Sequence, residues 1–134
     1  MDAMNLDEWL RDTDVEPPCG PNLEYDESFM SLMNAAAGKP EQQYGDTVIP
    51  AQEPDWPVVH EQALQLAART RDLRVAVWLA RSGAHLSGLA GAVRGLQLAQ
   101  GLLERHWQGL HPQLDALDND DPTARVNALR GHIP

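Results

Sequence analysis

Apolar residues concentrate between Asp72 and Ala84, where Leu73, Val75, Ala76, Val77, Trp78, Leu79, Ala80 and Ala84 are interrupted only by Arg74, Arg81, Ser82 and Gly83. Leu73, Ala76, Val77, Ala80 and Ala84 recur at helical spacing, and Val75 and Leu79 widen that stripe to most of the circumference. A helix apolar nearly all round must be covered on several sides. This one is too short and too broken by arginine to cross a bilayer. The pattern therefore predicts an all-α, single-domain bundle of about five to six helices around a buried central helix over residues 72–84. Asp72 is its expected N-cap, and Arg74, Arg81 and His85 form a narrow polar stripe.

The rest of the chain supplies the cover. Residues 1–12 predict a short amphipathic helix carrying Leu6, Trp9 and Leu10, with Trp9 available as an exposed anchor for a partner. Pro17-Pro18-Cys19-Gly20-Pro21 cannot be regular helix, because proline lacks an amide hydrogen and restricts the residue before it. Asp26 is expected to cap a helix with Phe29, Met30, Leu32 and Met33, ending at a left-handed Gly38. Residues 39–54 form a long connection with four interruptions at Pro40, Gly45, Pro50 and Pro54, and no strand-like alternation. Asp55 should cap the next helix, which reaches Thr70 with Trp56, Val59, Ala63, Leu66 and Ala67 on one face and packs as a hairpin on the central helix.

A break over residues 82–88 leads to a third long helix, 89–109, with a stripe of Leu89, Val93, Leu96, Ala99, Leu103, Trp107 and Leu110, and with Leu98 and Leu102 beside it. Gly91, Gly95 and Gly101 lie inside it, each at a cost of about 0.5–1 kcal/mol relative to alanine. Gly91 and Gly95 share a face, which fits either close approach of another backbone or a helix frayed near its start. A last helix starts at Pro122 with Val126, Ala128 and Leu129.

Charge narrows the function. The 134 residues include 20 acidic and 10 basic ones, for a net charge of −10, a field that repels nucleic acid and anionic membrane surfaces alike. Cys19 is the single cysteine, so no intrachain disulfide forms and a cytoplasmic compartment is expected. The acidic start lacks the pattern of a signal peptide, and no segment approaches the length of a membrane span.

Residues 106–127 look richest in chemistry, with His106, His111 and several aspartates. The histidines are five apart beside Pro112, off the shared helix face that zinc ligands use, and the aspartates lack the glycine and glutamate of a calcium loop. Capping explains them better: Asp121 ahead of the last helix, Asp115 or Asp118 on a turn, and Arg125 in reach of those carboxylates. Cys19 has no histidine near it in sequence and reads as a packing residue. There is no phosphate-binding glycine loop, no Gly-x-Ser-x-Gly elbow and no Cys-x-x-Cys. No catalytic constellation, cofactor site or metal site emerges. Trp56, Trp78 and Trp107 are expected in the core.

Several ordered stretches carry a resemblance. Pro18-Cys19-Gly20-Pro21-Asn22-Leu23-Glu24-Tyr25-Asp26, Gln43-Tyr44-Gly45-Asp46 and Pro54-Asp55-Trp56 resemble the ImpA-type N-terminal domain of TssA proteins from bacterial type VI secretion systems. So do Ala68-Arg69-Thr70-Arg71-Asp72-Leu73-Arg74-Val75 and, further on, Trp107, His111-Pro112-Gln113-Leu114-Asp115, Asp121-Pro122, Arg125 and Asn127-Ala128-Leu129. The resemblance implies residues 1–17 as an N-terminal arm and 18–134 as the helical domain, a piece of a longer protein. It also implies a non-enzymatic role in assembling baseplate and tail tube or sheath; a related accessory role at the distal end of the sheath is the alternative. Docking is expected through residues 39–54 and 110–122, with Tyr44, Asp46, His111, Gln113, Asp115 and Asp118 as candidate contacts and a basic patch on the partner. Asp55, Trp56, Asp72, Trp78, Trp107, Asp121, Arg125 and Asn127 are expected to be structural. A monomer or weak dimer is expected, the latter through Gly91 and Gly95 or the Trp9 helix.

Overall fold

The computed structural model describes residues 6–13 and 19–130; the expectations for residues 1–5, Pro17, Pro18 and 131–134 lie outside them. In chain order the elements are α1 (Leu6–Leu10), α2 (Glu27–Ala37), β1 (Gln42–Tyr44), β2 (Thr47–Ile49), α3 (Trp56–Arg69), α4 (Leu73–Arg105), a 3-10 turn (Ala116–Asp118) and α5 (Thr123–Leu129). The chain is thus mostly helical but not all-α, because β1 and β2 pair antiparallel within the expected connection. Gly45, at φ 61°, occupies the first of two loop residues between Tyr44 and Thr47, where a tight hairpin turn needs a positive φ. Both strands are exposed along their whole length, so no alternation of apolar and polar residues marks them in the sequence.

Capping sets the helix starts as expected. Asp26 accepts from the Ser28 amide, Asp55 from Val58 and Asp72 from Arg74. Gly38 ends α2 with a positive φ of 65° but an extended ψ of −153°, not the left-handed conformation expected. A Cβ there would sit 2.5 Å from the Gln52 carbonyl, where Lys39 and Gln52 exchange two backbone hydrogen bonds and close the base of the hairpin.

The core gathers residues from all five helices, with Leu32, Val59, Ala63, Leu73, Ala76 and Leu79 sealed from solvent. The first half of α4 is the buried central helix. Helix α3 runs antiparallel to it: Thr70 to Asp72 turn the corner, His60 Nδ1 meets Ser82 Oγ at 2.8 Å, and Trp56 stacks on His85 with centroids 3.9 Å apart. Arg74 is less solvated than its place in a polar stripe implies, since it bridges Glu24 and the buried Asp72.

The break in α4 is confined to Ser87 and Gly88 (φ 66°, ψ −150°), and the chain doubles back there. A Cβ on Gly91 would lie 2.0 Å from the Gly83 carbonyl oxygen, and one on Gly95 would lie 2.3 Å from the Ala80 amide nitrogen. Close backbone approach is therefore the reason for these glycines, and the contact is internal to the chain. It also redirects the third helix. The face turned inward is Gly95, Leu98, Ala99 and Leu102, while Leu89 (81% exposed), Val93 and Leu96 of the expected stripe face outward. Helix α4 ends at Arg105 rather than Gly109.

Two tryptophans exchange expected places. Trp9 is buried in the core rather than presented to a partner, and Trp107 is 41% exposed, lying against the Arg125 guanidinium at 4.7 Å. Among the described residues no helix is long and apolar enough to cross a membrane.

Candidate functional site

The motif-bearing residues fall into a buried junction and two exposed loops. The junction forms where the corner between α3 and α4 passes between two other segments. The Arg71 amide donates to the Cys19 carbonyl, the Leu73 amide to His111, and the His111 amide back to Arg71, at 2.8, 2.8 and 3.0 Å. The Thr70 hydroxyl donates to the Pro21 carbonyl at 2.8 Å and His111 Nε2 to Gly20 at 2.9 Å. The buried Arg71 guanidinium holds the carbonyls of Glu8, Arg11 and Ala67 at 2.8–2.9 Å, fastening α1 to the body. His111, expected at a partner surface, is a buried member of this junction.

Arg125 is a second fastening. Its guanidinium donates to the carbonyls of Trp107, Leu110 and Pro112, locking the segment after α4 against α5. It reaches main-chain oxygens rather than the expected carboxylates, because the segment turns several carbonyls toward one point that only a planar multi-donor group can fill. Asp121 likewise does not cap α5; it accepts the Thr123 hydroxyl, and Pro122 occupies the cap position without a side-chain bond.

Cys19 lies 3.5 Å from His106 Nδ1, a pairing invisible at a separation of 87 residues. His106 Nε2 faces the Leu10 carbonyl, which leaves Nδ1 to accept from the thiol. Burial pushes the Cys19 pKa up, so the pair favours a protonated packing thiol over a nucleophile. Among the described residues no group of three or more His, Cys, Asp or Glu side chains is placed to hold a metal ion.

The exposed loops hold the other candidates. At the hairpin, Tyr44 and Asp46 are exposed, as are Val48 and Ile49, and the Tyr44 hydroxyl reaches back to Gln42. In the second loop Gln113, Asp115 and Asp118 are exposed, but Asp115 is committed to capping the 3-10 turn through the Leu117 amide at 3.0 Å. The Asp115 and Asp121 backbones bridge the loop, and Asn119 and Asp120 both adopt positive φ. Leu117, at the tip, is 99% exposed. Its one signal in the sequence is a leucine between Asp115 and Asp118, outside any helical stripe. Asp55 and Asp72 cap α3 and α4, Trp56 and Trp78 are partly buried against the core rather than inside it, and Asn127 stands exposed on α5.

Comparison with known proteins agrees with this architecture. The family model described as ImpA, N-terminal, type VI secretion system, matches residues 10–133. The type VI secretion system component TssA1 of Pseudomonas aeruginosa is 49% identical over 118 residues, covering 88% of this chain and 34% of its own length. The chain therefore spans about a third of that relative. Among solved structures, the N-terminal domain of the TssA component from Burkholderia cenocepacia, which includes the conserved ImpA_N region, superposes with a TM-score of 0.74. The two share 30% identity, over 98% of this chain and 48% of that one. With residues 10–133 matched by the family model and the fold shared with a solved member, the chain belongs to the ImpA N-terminal family of the type VI secretion system.

Proposed function

We propose that this domain is a non-catalytic docking module, acting in the bacterial cytoplasm on baseplate and tail tube or sheath components as a type VI secretion system assembles. Family membership supports the setting. One observation carries the docking surface: Leu117 stands fully exposed on a turn fixed by its own hydrogen bonds, beside Asp115, Asp118 and Asp120. A preordered apolar tip loses little conformational freedom on binding, and the surrounding carboxylates favour a partner pocket rimmed by Lys or Arg. The exposed hairpin with Tyr44 and Asp46 is a second contact of the same kind. His111 and Asp115 serve by holding the loop in shape.

The test uses the tagged domain as bait in lysate of a secretion-competent bacterium, with baseplate, tube and sheath proteins quantified in the eluate. Leu117→Ser combined with Asp118→Lys should cut their recovery about tenfold or more, the size expected for losing a hot spot. The helical circular dichroism and melting temperature should stay unchanged. Full recovery with the double variant, or no recovery of any such component with the native domain, refutes the reading.

A further inference from the structure

A groove of about 670 Å³ opens between α2, α4 and α5, on a surface distinct from the Leu117 tip and the hairpin. Its walls are Phe29, Met30 and Met33 from α2, Val77 and Trp78 from α4, and Ala128 from α5. Met30 is 52% exposed, an unbranched apolar side chain left on the lip of an apolar cavity. Asn34 and Asn127 face it from opposite walls and supply amide donors and acceptors.

The size suits more than one large apolar side chain, within the usual range of about 300–1,000 Å³ for ligand pockets. Methionines adapt to varied shapes, as surfaces that receive partner helices do. Charge decides the occupant. Arg74, which lines the groove, is neutralised by Glu24 at 2.9 Å and by Asp72 at 2.7 Å. Beyond that compensated pair carboxylates still outnumber cations. Glu27 lies one helical turn before Met30 on the same face, and Asp120 and Asp121 are separated from α5 only by Pro122. Against them stands Arg81, 4.4 Å from the centre of the Trp78 ring. A second copy of a chain with net charge −10 is a poor match for an acidic rim.

We propose that this groove receives an amphipathic helix of a partner protein, with apolar anchors one turn apart and lysines or arginines along its edge. The anchors fill the space over Met30, Met33 and Trp78, and the cations meet Glu27 and the carboxylates ahead of α5.

The experiment uses the protein as it stands and a synthetic amphipathic Leu/Lys helix as probe, with a Leu/Glu peptide of identical pattern for comparison. Calorimetry gives the affinity, and amide and indole NMR shifts give the place. Saturable one-to-one binding is expected, with shifts centred on Asn34, Asn127 and Trp78 and an affinity at least tenfold above that of the Leu/Glu peptide. Met30→Glu, at an exposed position, should weaken binding at least tenfold even though it adds a negative charge, whereas general attraction to an acidic protein would strengthen it. Shifts scattered over the surface, equal binding of the two peptides, or unchanged binding in Met30→Glu overturns the proposal. So does concentration-dependent shifting of groove signals without peptide, which would mean a second copy. Leu117→Ser should leave peptide binding intact, so that failure of the groove and failure of the loop reading are told apart.

Discussion

Replacing Gly91 by alanine tests the close helix crossing most directly. The added methyl carbon would stand 2.0 Å from the Gly83 carbonyl oxygen and 2.6 Å from its carbon, both backbone atoms of the opposing half of α4. Ordinary carbon–oxygen contact needs about 3.3 Å or more, so the two halves would have to part by roughly 1 Å. A gap of that size forfeits about a quarter to a half of the dispersion attraction across the seam. Overpacking of this kind costs about 1–3 kcal/mol, to which the lost seam contacts add. Against it stands the helical preference of alanine over glycine, about 0.5–1 kcal/mol. The balance is a loss of about 2 kcal/mol, which in a chain of this size lowers the melting temperature by about 6–8 °C. Gly95→Ala should behave alike, because its neighbour at 2.3 Å is the backbone nitrogen of Ala80. Gly101→Ala is the control: the atoms in its way, at 2.7 Å, are the methyl tips of Leu10, which can swing aside. Its expected change is within about 1 kcal/mol. Thermal and urea unfolding followed by circular dichroism read all three. A Gly91→Ala protein as stable as Gly101→Ala would refute the argument that backbone contact, and not chance, keeps glycine there.

Two further expectations follow from buried groups. Arg125→Met leaves the carbonyls of Trp107, Leu110 and Pro112 without their shared donor and should cost about 3 kcal/mol or more in urea unfolding; Arg125→Lys should rescue little, because an ammonium cannot span the three. Burial depresses the His60 pKa below its ordinary 6.5, so the unfolded chain takes up a proton there more readily than the folded one. Its contribution to stability is complete above about pH 6.5 and is lost as the pH falls from there toward the folded-state pKa. The melting temperature should fall between pH 7.5 and 5.5, and His60→Gln should remove part of that fall; an identical fall in the variant would refute the assignment.

Much of the fold was legible because it rests on local rules. Asp26, Asp55 and Asp72 are capping residues ahead of apolar periodicity, and each caps its helix. The central helix was legible from its all-round apolarity, and the paired glycines flagged the crossing without saying which backbone they meet. What escaped depends on contacts between distant parts of the chain. The stripe starts from the large side chains of Leu89, Val93 and Leu96, but the start of that helix is turned by the glycines Gly91 and Gly95, which meet Gly83 and Ala80 and bring Leu98, Ala99 and Leu102 inward instead. Cys19 and His106, or Arg125 and its three carbonyls, carry no local signature of their pairing. For the candidate site, the exposed positions Tyr44, Asp46, Gln113 and Asp118 could be placed from sequence. The inward turn of His111 and the outward turn of Leu117 could not, because the first depends on pairing with the distant α3–α4 corner and the second on how the loop closes between Asp115 and Asp121.

The Arg125 clamp also bears on the timing of synthesis. A nascent chain emerges from its N-terminal end, so the carbonyls of Trp107, Leu110 and Pro112 leave the ribosome before the guanidinium that is to hold them. Until α5 follows, those oxygens have only water as a partner, and the segment that also anchors the α3–α4 corner through His111 stays unfastened. A helix of seven residues thus closes the clamp, and a translational pause before residue 125 would hold the domain in an open, unlatched form.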